Sequence, residues 1–453
     1  MNYLNTQYSK SFFWNSLESF LYQILLLGHQ FMLFYVTDKQ TYGLIGTIFS
    51  VIYLTVMAIN FGFDASAGAF FKQAIQSKEH FKTIIVRQLS LGYMIASSIT
   101  LAIVMVQPSW VSIYLHAVPM KSITVQAIVI SVIFFEGLKR SLRNILQLGF
   151  YSKKTALLEM LSIVIYVSIV WMGYMYGLPI TLPLIFLPLC LVSAISTIIL
   201  GIFVVEFYRE LPDASTEQMP NVALIIKNRF FNFLNQVTHS IFSSNFLVPF
   251  FAFSFGLAHA GTLKLIASIA HCITAIVHKS FGISGAILLA HTKKESDHMR
   301  QYAFSMVSEK LYQTLCIMFI FFAINYSALI NMKGLTQSTT IITLAYLFLT
   351  IIVSESLFLA YEKFYITQGK SDYLFMFNAF TMLAIACVVR QAHFSQSTTL
   401  MLYILAVRGF MFFAIALFSY RQWQIKPSFY IDPKHIAYSL IASLVLFAFI
   451  QYH

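Results

Sequence analysis

Charge is what this sequence has least of. Only 10% of its 453 residues are Asp, Glu, Lys or Arg, against 58% hydrophobic. One soluble core could not hide that much apolar surface, and 45 Phe with 18 Met exposed to water would drive association. Cysteine is scarce too: Cys190, Cys272, Cys316 and Cys387 stand singly inside apolar runs, without metal-site or redox-pair spacing, and read as packing. Neither a GxxxxGKS/T phosphate loop nor an HExxH zinc helix is present, so the sequence offers no ATPase or zinc-hydrolase chemistry. The loops TDKQT, GLAHA and 329–338 are too short and poor in acids for a transferase acting on membrane lipids. No small-residue cleavage site follows the first apolar run, which Asn15, Glu18 and Gln23 interrupt, so it reads as a retained helix. No metal and no cofactor is expected, and the chain reads as a carrier, not an enzyme.

Long apolar runs are what the sequence has in abundance. Stretches able to cross a bilayer as helices lie near 11–36, 42–71, 87–106, 122–138, 156–176, 180–206, 223–254, 258–290, 307–328, 339–361, 373–389 and 398–420, with a thirteenth candidate at 435–450. With a cytoplasmic N-terminus, twenty-one Lys and Arg fall on the inner side, among them Lys72, Lys139, Arg140, Arg143, Lys153, Lys154, Arg229 and Lys370. Lys39, Lys121, Lys333 and Arg390 fall on the other. This is the positive-inside bias of a multi-pass membrane protein, and it accounts for much of the net charge of +12 without nucleic acid. Lys264, Lys279 and Arg408 stand outside the bias.

The hydrophilic break at 209–221 divides the spans six and six. FGFDASAGA (61–69) and FGISGA (281–286) place Gly62 and Gly282 at an offset of 220, and LQLGFYSKK (146–154) and ITQGKSDY (366–373) repeat it through Gly149 and Gly369. TYG (41–43) and HAG (259–261) supply a third pair at 218. The expected architecture is all-α and polytopic. It has a six-helix lobe at 1–210, a cytoplasmic linker at 211–222, a second lobe at 223–425 and an additional helix at 426–453. An even number of spans per lobe makes the repeats parallel, related by a pseudo-two-fold axis along the membrane normal. The glycines of FGFDASAGA then allow a helix bend or a close helix contact.

Polar residues form stripes. Asn228, Asn232, Asn235, His239 and Ser243 share one helix face, Lys264, Ser268, His271 and His278 another, and Asn15, Glu18, Tyr22 and His29 a third. An offset of 217 pairs Asn15 with Asn232, Glu18 with Asn235 and Tyr22 with His239. Ionisable groups at membrane depth face a bundle interior or a wet cavity. Isolated Asn and Ser read equally as hydrogen-bonding glue between helices. Lys264, Arg408, His239, His271, His278, Asn232, Asn235 and Asn15 are the candidate cavity residues, with cations suited to a phosphate-bearing cargo. Glu18, Asp64 and Glu355 are the candidate ion-coupling acids.

TYGLIGTIFSVIYL, NFGFDASAGAFF and the LQLG and ITQGK turns, set in two six-helix halves, resemble the bacterial polysaccharide flippases. These export O-antigen and capsule repeat units, within the superfamily that also holds multidrug/cation antiporters and lipid II flippases. The resemblance implies alternating access and a polyprenyl-pyrophosphate-linked oligosaccharide as substrate, with Lys264 and Arg408 placed to hold the pyrophosphate. It also implies a monomer in the bacterial inner membrane, among membrane lipids and beside a polysaccharide polymerase or glycosyltransferases. Glu18, where lipid II flippases carry arginine in the first helix, points away from that branch. The alternative is a proton- or sodium-coupled multidrug/cation antiporter, in which Glu18, Asp64 or Glu355 is essential.

Overall fold

Apolar runs without internal breakers favour long helices, and the computed structural model is built from them. It describes residues 2–106, 123–214, 219, 221–240, 243–292, 296–331, 350, 354, 356–391, 397–428 and parts of 433–444, with no strand among them. The helices are α1 (Asn2–Val36), α2 (Lys39–Asn60), α3 (Phe63–Ala74), α4 (Lys78–Phe81), α5 (Arg87–Val106), α6 (Ile123–Leu148), α7 (Ser152–Met175) and α8 (Leu182–Glu210). They continue with α9 (Val222–Ser240), α10 (Ser244–Phe255), α11 (Leu257–Val277), α12 (Ser284–His291), α13 (Asp297–Asn331), α14 (Leu359–Thr367), α15 (Ser371–Gln391) and α16 (Ser397–Trp423). π-helical turns at Lys82–Val86 and His278–Ile283 lead into α5 and α12. Among the described residues five helical segments are long and apolar enough to cross a membrane: Ser9–Val36, Lys39–Ala74, Ser152–Met175, Leu182–Glu210 and Ala260–Val277. The span expected at 339–361 and the helix at 435–450 fall largely outside the described residues.

Two compact units divide the chain: Met1–Leu265 with Gly369–Phe375, and Ile266–Gln368 with Met376–His453. In the first, α6 packs along α8, α1 along α7, and α2 along α10. In the second, α12 packs on α13 and α14, where Phe304, Tyr361, Phe364 and Tyr365 form a buried aromatic core.

Three expectations change. The run 42–71 is broken, not merely bent: Phe61 and Gly62 both adopt the left-handed conformation, with φ of 45° and 73°. The carbonyls this break frees are capped by Arg229 of α9, which donates from Nε to Phe61 O at 3.0 Å and from Nη2 to Asn60 O at 3.3 Å. Nη1 reaches the Gln88 carbonyl on α5, and the guanidinium lies over the Phe61 and Phe63 rings. The run 223–254 is likewise two helices, α9 and α10. Finally, α6 extends ten residues past its expected end at 138, because helical hydrogen bonding continues where an amphipathic stretch stops looking apolar.

The repeat motifs meet in space. A Cβ on Gly43 of TYG would collide with the Leu257 carbonyl oxygen, and one on Gly261 of HAG would fall 2.5 Å from the Lys39 carbonyl oxygen. Only glycine at both positions lets α2 and α11 approach backbone to backbone.

Candidate functional site

The continuation of α6 carries the chemistry. Glu136, Lys139, Arg143 and Gln147 follow one another at three, four and four residues, so one face of α6 turns four polar side chains toward α1, α7 and α8. From α1, the Glu18 carboxylate, fully buried, accepts from Arg143 Nη2 at 2.5 Å. Lys139 Nζ lies 2.9 Å from Glu136 Oε1, which also accepts from the Ser193 hydroxyl of α8. Glu159 of α7 shares both cations at longer range, 3.6 Å from Lys139 and 3.9 Å from Arg143. Asn15 joins the cluster through the Gln147 amide at 3.2 Å and donates to Ser11 at 3.3 Å. Turned so that its oxygen faces Arg143, that Gln147 amide accepts from Nε and Nη2 at 3.2 Å each.

The cluster holds three carboxylates and two cations among the described residues, one negative charge in excess. Such an imbalance in a helical bundle is costly unless a proton or a bound cation completes it. The adjacent pair is neutral: Arg140 Nε lies 3.1 Å from Asp64 Oδ2, while Asn60 accepts from the Asp64 amide at 3.0 Å and Asn144 donates to its carbonyl at 2.8 Å.

One contact of this frame has a counterpart in the second half. Ser11 and Ser152 join at 2.7 Å where α1 meets the start of α7, and Asn228 and Ser371 join at 2.7 Å where α9 meets the start of α15. The backbone also corrects the sequence register. Left-handed Phe150, with φ 64°, corresponds to Gly369, with φ 74°, so this turn repeats at 219 and Gly149 is not the partner of Gly369. In that register Lys139, Arg143 and Glu159 are replaced by Phe358, Glu362 and Asn378, while the α1 offset of 217 replaces Glu18 by Asn235.

Of the residues singled out from sequence, Asn15 and Glu18 enter the cluster and Asp64 lies beside it, paired. Asn232 is fully buried, with neither amide atom hydrogen-bonded, and Asn235 donates to the Ser371 carbonyl at 3.0 Å. The stem of Lys264 crosses Gly46, where a Cβ would fall 2.8 Å from Cγ. Arg408 is buried on α16, and His271 and His278 are half-buried on α11 and the π-helical turn after it. Glu355 and the His239 side chain lie outside what is described. Sequence reasoning missed Lys139, Arg143 and Arg229 by counting them as inward surface charges. The side chains of Lys139 and Arg143 are 10% and 13% exposed, and Arg229 is 3% exposed, because each lies on a helix face turned inward. Glu159 was missed altogether. The spacing from Glu136 to Gln147 was the available signal.

No family model matches the chain, and no curated protein matches it in sequence. Solved structures do. An outward-facing multidrug resistance MATE family transporter of the MOP superfamily superposes with a TM-score of 0.67 at 12% identity, over 92% of this chain and 96% of that one. A point mutant of the Vibrio cholerae MATE transporter VcmN gives 0.66 at 12% identity, over 93% and 98%. A MOP superfamily transporter from Pyrococcus furiosus, described as having a binding pocket of reversed polarity, gives 0.61 at 12% identity, over 98% and 95%. The chain has the MATE fold. It is an all-α, multi-pass membrane architecture.

Proposed function

We propose that the protein is a secondary carrier that works by alternating access and exchanges a cation, the proton in the first instance, for an organic substrate. The observation that carries this reading is the excess carboxylate of the Glu18–Glu136–Glu159 cluster against Lys139 and Arg143. Glu18 and Glu136 each hold one cation closely, so Glu159, with the two longest ion pairs, is the group that takes up and releases the coupling ion. The fold neighbour that is a multidrug resistance transporter supports a drug-like organic substrate class. Nothing in the sequence supplies covalent chemistry, which supports a carrier over an enzyme. The asymmetry of Lys and Arg supports a cytoplasmic N-terminus.

Proteoliposomes holding a pH indicator and challenged with ethidium as probe test this. Ethidium uptake releases protons with the wild-type chain, and Glu159→Gln abolishes the release. Full proton coupling in a folded Glu18→Gln/Glu136→Gln/Glu159→Gln chain overturns the reading.

A second reading, flipping of a polyprenyl-pyrophosphate-linked oligosaccharide, is favoured by Asn232, whose buried amide has a free donor and a free acceptor suited to sugar hydroxyls. Lys264 and Arg408 each supply a cation suited to phosphate. Unchanged flipping of such a lipid by Lys264→Ala/Arg408→Ala proteoliposomes removes that role.

A further inference from the structure

His29 is a titratable group that the charge cluster does not use. It lies on the stripe face of α1, eleven residues beyond Glu18, about 16 Å along the helix. It is 1% exposed, and its partner Tyr166 sits in an apolar cluster with Ile163, Val170 and Val192. Its Nε2 meets the Tyr166 hydroxyl of α7 at 3.2 Å, the two rings are edge-on with centroids 5.2 Å apart, and its Nδ1 has no hydrogen-bond partner. An orphaned buried imidazole nitrogen forfeits a hydrogen bond to water, a cost that a packing role does not need to incur. Buried ionisable groups at membrane depth are by default functional.

Tyr22 closes the distance to the cluster. It lies on the α1 face of Glu18 and His29, four residues from the one and seven from the other, and packs against the same apolar group as Tyr166. Along α7, Glu159 and Tyr166 are seven residues apart and share a face. From α2, the Tyr42 hydroxyl donates to Gln30 Oε1 at 2.9 Å.

We propose that Tyr22, Tyr166 and His29 form a proton line along the α1/α7 seam, joining the charge cluster to the Val36 end of α1. A proton taken up on His29 Nδ1 lets Nε2 release its own to the Tyr166 oxygen. Tyr166 passes its hydroxyl proton to Tyr22, and Tyr22 passes its own to a cluster carboxylate. Each hand-over breaks one N–H or O–H bond and forms another, so one proton is moved and none is consumed. His29 and Tyr166 are thus positioning residues for the proton, acting through Tyr22 on the acids.

The line rests on the proton-exchange reading above, and one experiment separates the two. Proteoliposomes are compared for ethidium-driven proton release from pH 5 to 8, with His29→Gln and the isosteric Tyr166→Phe beside Glu159→Gln. The line expects release slowed about a hundredfold in both seam variants, ethidium affinity unchanged, the pH profile flattened between pH 5 and 8, and His29→Gln rescued by added imidazole. Wild-type rates and pH profile in His29→Gln and Tyr166→Phe, with release lost in Glu159→Gln, overturn the line alone. Absence of proton release in the wild-type chain overturns both readings.

Discussion

Arg229 Nε donates to the Phe61 carbonyl oxygen at 3.0 Å across 168 residues of sequence, and so ties α9 to the point where α2 breaks. The guanidinium fork serves Asn60 and Gln88 as well, which a lysine ammonium cannot do in one geometry. Arg229→Met leaves buried carbonyls unpaired and is expected to destabilise the folded chain by about 3 kcal/mol. Arg229→Lys should recover less than half of that. Thermal unfolding of the detergent-solubilised protein checks both, and equal stability of Arg229→Lys and wild type would show that charge alone suffices.

Gly62 makes the same junction possible. Its φ of 73° and the Arg229 carbonyl oxygen, with which a Cβ built there would collide, leave no room for alanine. Gly62→Ala should cost more than about 1 kcal/mol, read as a lowered unfolding midpoint, whereas Gly201→Ala, where nothing lies within 4 Å, should be neutral or stabilising.

Removing one member of a buried pair differs from removing both. Arg143→Ala strands the buried Glu18 carboxylate and should destabilise by about 3–5 kcal/mol. Glu18→Gln combined with Arg143→Gln should unfold at a higher temperature than Arg143→Ala. A double variant no more stable than the single one would show that Arg143 acts mainly through Glu159.

Asp38, between α1 and α2, is the N-cap of α2: its carboxylate accepts from the Gln40 and Thr41 amides at 3.2 and 3.3 Å. The Thr41 hydroxyl, with those amides, holds the carboxyl below its usual range. A lowered folded value means the stabilisation is complete above the ordinary carboxylate pKa and fades as pH falls through the folded value. Asp38→Ala should cost about 1 kcal/mol near pH 7, and the difference from wild type should vanish in strong acid. A gap that stays constant down to pH 2 would sink the cap assignment.

Helix existence was legible in the sequence because a bilayer's worth of apolar residues is a local property. α1, α5, α7 and α8 fall close to where hydropathy puts them. Where a helix ends was less legible. Past residue 138 α6 carries Lys139, Arg140 and Arg143, and a reading based on apolarity stops at charges that the fold turns inward to Glu18, Glu136, Glu159 and Asp64. Those pairings span as many as 125 residues, and which helix faces meet is a tertiary fact that no local window contains. The break at Phe61–Gly62 was half legible. Glycine signalled a departure from straight helix, but its capping by Arg229 could not be read from either segment alone.

The two matching 2.7 Å bonds, Ser11 to Ser152 and Asn228 to Ser371, do the same mechanical work in two places. Each clasps the first helix of its half to the start of the helix that follows the LQLG-type turn. Both clasps are built from uncharged hydroxyls and an amide, so protonating the acids of the cluster leaves them intact. The bundle can change its charge state without loosening these seams.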